Sequence, residues 1–151
     1  MDAVKELSAE AVAEILKEVF SSMVNLPLEA GGGPAATGAS ATAIVGLIGK
    51  PGKLVILRAG EALACRIAGG LLMAEYAAWG DEVRDAFSEL ANMAAGNIKA
   101  KCFCESGFSL SLPTVIFGGD YKMSANRLRT LTEVSMCSGG ALLRVTVAEE
   151  T

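Results

Sequence analysis

The stretch Ala41-Thr-Ala-Ile-Val-Gly-Leu-Ile48, the turn Gly49-Lys50-Pro51-Gly52 and the run Lys53-Leu-Val-Ile-Leu-Arg58 together spell a β-hairpin. Both arms are short, apolar and rich in β-branched residues, and the Pro-Gly pair between them marks a tight turn. Upstream, Ser8 is placed as an N-cap. Val12, Ile15, Leu16, Val19, Phe20 and Met23 then recur at three- and four-residue spacing, which predicts an amphipathic helix running to Asn25. Residues 26–30 suit a short strand and residues 31–40 a loop of small residues. Downstream, residues 61–73 read as a mainly buried helix and residues 81–101 as a longer one. Strands are expected at 109–112, 114–117, 129–136 and 141–148, with Gly118-Gly119-Asp120 and Ser138-Gly139-Gly140 as turns. The sum is an α+β chain: a single two-layer domain over residues 1–151, with about three helices on a largely antiparallel sheet. A helix followed by strands occurs twice, which hints at two half-units.

Composition narrows the chemistry. The 151 residues include no histidine, which excludes Ser-His-Asp and Cys-His units, phosphohistidine transfer and imidazole-based metal sites. A net charge of -4 argues against a nucleic-acid or anionic-membrane partner, since both select basic surfaces. Mean hydropathy is high at +0.43. Even so, the charge-free window 30–49 is broken by glycines and Pro34, too short an apolar run to span a bilayer. The acidic N-terminal residues do not resemble a signal peptide, so a cytoplasmic location is expected. Four cysteines without a Cys-x-x-Cys spacing suggest reduced thiols; on a strand, Cys102 and Cys104 would point apart. Neither glycine-rich segment makes a phosphate loop: residues 30–40 lack the Gly-Lys-Ser/Thr ending, and Gly49-Lys50 runs into Pro51. The pair Gly69-Gly70 is better suited to close helix packing.

The helix at 81–101 carries the informative pattern. At roughly 100° per residue, Asp85, Glu89, Asn92 and Gly96 fall within an arc of about 60°. Val83, Ala86, Phe87, Leu90, Met93 and Ala94 take the other side. Polar residues at this spacing are usually an ordinary solvated face. Here, however, Asn92, Gly96 and Asn97 together cost a helix about 2 kcal/mol relative to good helix formers. Asn97 lies nearer the apolar side and is expected to make a structural hydrogen bond.

The run Asp85-Ala-Phe-Ser-Glu89-Leu-Ala-Asn92-Met-Ala-Ala-Gly96-Asn97-Ile-Lys99 resembles the signature of the CheX group within the CheC/CheX/FliY family of phosphatases acting on CheY-type response regulators. Ser109-Leu-Ser-Leu-Pro-Thr-Val-Ile-Phe-Gly118 resembles the Leu-Pro strand and glycine that follow that helix in the family. The first helix holds no Glu-x-x-Asn, so the resemblance implies one site per chain, as in CheX. It further implies hydrolysis of an aspartyl phosphate on a phosphorylated CheY-like receiver domain. Asn92 would orient the attacking water and Glu89 would contact the receiver lysine; Asp85 and Gly96 would serve binding, Asp85 at the rim and Gly96 by giving clearance. No metal site or cofactor of its own is expected, Mg2+ coming from the receiver. A homodimer is possible through edge strands. The alternative is a non-catalytic binding module for a response regulator or flagellar switch component; a small-molecule groove has no specific residue support.

Overall fold

A computed structural model describes residues 6–32, 38–103, 107–119, 121–124 and 126–151. Residues 33–37 of the expected small-residue loop, Cys104 and Asp120 lie outside them. Helix α1 (Ala9–Val19) begins where the Ser8 hydroxyl accepts the Ala11 N–H at 3.1 Å, the expected N-cap. It continues as a π-helical turn, Phe20–Val24, and stops at Asn25, whose left-handed φ of 52° ends the helix at the expected residue. Next come β1 (Glu29–Ala30), β2 (Ser40–Ile48), β3 (Lys53–Gly60), α2 (Glu61–Leu72) and α3 (Asp81–Cys102). The chain ends with β4 (Ser109–Leu110), β5 (Thr114–Gly118), β6 (Leu128–Ser138) and β7 (Ala141–Glu150).

All strand pairs are antiparallel, in the order β1-β6-β7-β3-β2-β4, with β5 also on β2 beside β4. The order is symmetric about the β3–β7 pair. Each long hairpin, β2–β3 and β6–β7, is flanked outside by a short strand from the other half, which gives the two-fold echo in the sequence a structural form. Cross-strand rows such as Ala43, Leu57, Val145 and Val134 line the inner face and are buried. Against them pack Ile15, Leu16 and Phe20, Leu63 and Ile67 of α2, and Phe87, Leu90 and Ile98 of α3. Two layers with one core result, three helices on an antiparallel sheet.

Several expectations need correction. Only Glu29–Ala30 of the expected strand at 26–30 pairs, and β4 stops at Leu110. By contrast β6 and β7 are longer than their apolar patterns, because main-chain pairing continues past the last buried side chain and across an irregularity between Thr130 and Thr132. Cys102 is the last residue of α3, so it shares no strand with Cys104. Cys65 is buried in the core, and that burial, helped by the charge of Glu61, pushes its thiol pKa up, as suits an inert packing residue. Among the described residues no helix is long and apolar enough to cross a membrane.

Glycine at 69 and 70 does what its position in an apolar helix suggests. A Cβ on Gly70 would overlap the Val24 carbonyl, and one on Gly69 would lie 2.8 Å from the Ala74 oxygen. At Gly96 a Cβ would meet only the Leu110 Cδ1 at 3.6 Å, an ordinary contact. Gly70→Ala is therefore expected to destabilise the fold by about 1–3 kcal/mol. Gly96→Ala should leave it unchanged or add up to about 1 kcal/mol from helix propensity. Thermal unfolding of the two variants checks the contrast.

Candidate functional site

Helix α3 is fixed at both ends by contacts that spacing along the chain does not reveal. At its start, Trp79 stacks on Phe117 of β5 at 4.4 Å between ring centroids and meets Phe87 edge-on at 6.4 Å. The Trp79 N–H donates to Glu61 Oε2 at 2.8 Å, which ties the α2–α3 connection to the head of α2. A hydrogen bond to the Glu82 carboxylate, with smaller contributions from burial and the Glu82 charge, holds the Tyr76 hydroxyl above its ordinary pKa. Asp81 and Glu82 in the first turn suit the helix dipole.

At the other end, Lys99 Nζ donates to the Phe108 carbonyl at 3.2 Å and Lys101 pairs with Glu18 of α1 at 3.0 Å. Phe103 and Phe108 meet edge-on, and the buried Lys53 ammonium sits 5.0 and 4.4 Å from their ring centres. Lys53 also lies 3.5 Å from Glu149. The hydrogen bond from Arg129 and the charge of Lys53 hold the Glu149 carboxyl below its usual range despite partial desolvation.

Between these clamps the inward side buries Val83, Ala86, Phe87, Leu90, Ala91, Ala94, Ala95 and Ile98. Met93, expected among them, is only half-buried: at about 100° per residue it falls at the boundary between the two sides. Outward, Asp85 and Glu89 are exposed and Asn92 and Gly96 half-buried, so the four stand together on one face. Asn97 is apart from them, its amide donating to the Met93 carbonyl at 2.8 Å, the structural role its phase predicts.

The four residues differ in what the fold asks of them. Asp85 already has a partner, since Arg84 reaches its Oδ1 from Nη2 at 3.0 Å and from Nε at 3.1 Å, while extending Nη1 to Asp81 at 3.4 Å. Sequence reasoning passed over Arg84, because neighbours i and i+1 do not share a helix face. An exposed pair of this kind is worth little and is easily broken. Among the described residues, the side chains of Glu89 and Asn92 have no hydrogen-bond or ion-pair partner. A carboxylate and an amide one turn apart on a braced helix can together accept a cation and offer both a donor and an acceptor to water. Among the described residues no three acidic or cysteine side chains gather as a metal site.

The family profile described as chemotaxis phosphatase CheX matches residues 41–136, which include both the helix and the Leu-Pro strand. No curated protein sequence matches the chain. Among solved structures, the chain resembles the chemotaxis protein CheX of Vibrio vulnificus at 20% identity, covering 93% of this chain and 95% of that one with a TM-score of 0.76. It resembles a putative chemotaxis protein of Desulfovibrio vulgaris Hildenborough at 18% identity, with 98% and 100% covered and a TM-score of 0.76. A third similar chain, at 22% identity with 97% and 100% covered and a TM-score of 0.69, comes from the CheX-CheY-BeF3-Mg2+ complex of Borrelia burgdorferi. At these identities the solved structures establish the shared fold, and the profile, spanning well over half of the sequence, establishes that this chain belongs to the CheX family.

Proposed function

We propose that the chain removes phosphate from the aspartyl phosphate of a CheY-like receiver domain, with Asn92 and Glu89 as its catalytic pair. The observation that carries this is the state of those two side chains: both stand on the outer face of a helix braced at each end, and neither has a hydrogen-bond or ion-pair partner among the described residues. Membership of a phosphatase family and the CheX-CheY complex from Borrelia burgdorferi support the choice of partner.

In this scheme the receiver brings the phosphoaspartate, a Mg2+ ion and a lysine. This chain needs neither nucleophile nor metal of its own. Asn92 accepts and donates hydrogen bonds to one water and holds it in line with the phosphorus, a positional contribution like that of glutamine in GTPases. Glu89 pairs with the receiver lysine, which sets the register of docking and contributes to affinity through a charge-assisted contact. Asp85 lies at the rim and can exchange its Arg84 contact for one with the receiver. Gly96 leaves clearance for receiver loops, a need external to the chain, since an alanine would fit within it.

Asn92→Ala is expected to bind a phosphorylated receiver nearly as well as wild type while losing the accelerated phosphate release, followed as the lifetime of the aspartyl phosphate. Glu89→Ala should weaken binding as well. Because neither side chain has a partner among the described residues, both variants should unfold within about 0.5 kcal/mol of wild type or slightly above it. Dephosphorylation by Asn92→Ala at the wild-type rate would contradict the proposal. A receiver that binds but keeps its own phosphate lifetime would favour a non-catalytic binding module. Without histidine, the acceleration contributed by this chain should vary little across about pH 6.5–8.

A further inference from the structure

Leu112 is 90% exposed, yet it stands at a braced feature of the sheet edge. Strands β4 and β5 both pair with β2 and are interrupted by residues 111–113. Ser111 holds the interruption in place. Its N–H donates to the Gly46 carbonyl at 2.8 Å, and its hydroxyl accepts the Gly46 N–H at 2.8 Å. The same hydroxyl reaches the Leu112 carbonyl at 3.2 Å, and Pro113 restricts the backbone on the other side. With Ser111 turned onto β2, the next side chain is left in solvent.

The placement relative to α3 follows from two anchor points. Trp79, just before the helix, stacks on Phe117, and Gly96 faces Leu110 further along, so α3 runs antiparallel to this edge. Between Asp81, which follows Trp79 closely, and Gly96 the helix rises about 22 Å. Residues 111–113 continue directly from Leu110 toward Phe117, so along the edge they lie next to the Gly96 anchor, on the side toward Asn92. The Gly96–Leu110 approach also brings the border of the polar face of α3 to this edge.

We propose that Leu112 is an apolar anchor for the receiver domain, covered when the receiver's phosphorylation site meets Glu89 and Asn92; this rests on the function proposed above. The polar face alone is a weak docking surface. Asp81, Glu82, Asp85 and Glu89 outnumber the one cation among them, Arg84, and the net negative charge speeds encounter with a basic partner but adds little lasting affinity in water. A rigidly presented leucine at its border supplies what charge does not, because ordering it on binding costs little and burying it removes apolar surface from water. The partner it fits is a protein surface with a cation opposite Glu89 and an apolar patch next to it.

The test measures affinity for a Mg2+-bound, beryllofluoride-loaded receiver, and dephosphorylation of the same receiver when phosphorylated, for wild type, Asn92→Ala, Leu112→Ala and Leu112→Asp. Leu112→Ala should weaken binding about tenfold or more, and Leu112→Asp further, with the unfolding midpoint and the rate at saturation retained. Affinities within about twofold of wild type for both would overturn the anchor even where Asn92→Ala abolishes phosphate release. Weakened binding of a receiver that wild type does not dephosphorylate would support the anchor and overturn the catalytic proposal. Loss of a dimer in sedimentation by Leu112→Asp, with receiver affinity kept, would assign the side chain to a contact between copies of this chain and overturn the proposal. Failure of every receiver tried to bind wild type would overturn both.

Discussion

Helix α3 lays Val83, Phe87, Leu90, Ala94 and Ile98 on the inner face of the sheet, and that burial fixes where the opposite side of the helix points. Twenty-odd residues of helix cannot rotate about their axis without bringing Glu89 or Asn92 toward the core. The aromatic contacts of Trp79 at one end and the Lys99 and Lys101 bonds at the other also hold the helix along its axis. The proposed site depends on this, because its two side chains have no hydrogen-bond partner among the described residues and take their geometry from the helix backbone.

The sheet puts that helix at an edge. In a sheet whose order is symmetric about β3 and β7, the outer strands are short pieces contributed by the opposite half. Beneath α3 the edge is β4 and β5, interrupted at 111–113, so the polar face borders open space and not a further strand. The other half lacks the equivalent chemistry. Glu18 of α1 is spent on the ion pair with Lys101, and no asparagine follows Glu14 or Glu18 at three residues. One half of a two-fold architecture thus carries the unengaged polar pair while the other braces it.

Much of this was legible in the chain. Ser8, Asn25 and the 3.6-residue period mark the limits of α1 together with its π-helical turn, and the Pro-Gly turn marks the central hairpin, because each depends on local backbone chemistry. The phase of α3 separated Asp85, Glu89, Asn92 and Gly96 from the buried side and Asn97 from the site. The roles proposed for Glu89 and Asn92 rest on the family resemblance, not on periodicity. What escaped the sequence was tertiary: the stacking of Trp79 on Phe117, the Lys53 ammonium between Phe103 and Phe108, and the hold of Arg84 on Asp85. The interruption after Leu110 escaped too, since Leu-Ser-Leu reads as alternation until Ser111 is seen bonded to Gly46 on both its hydroxyl and its N–H.

The central claim is that a receiver meets this protein on the polar face of α3. Amide chemical shifts of the isotopically labelled chain, followed while a Mg2+-bound, beryllofluoride-loaded receiver is added, test it most directly. The largest changes should map to Glu89, Asn92 and Gly96 and extend to the 111–113 edge. Changes centred on α2 and the β6–β7 turn, with α3 unmoved, would contradict it.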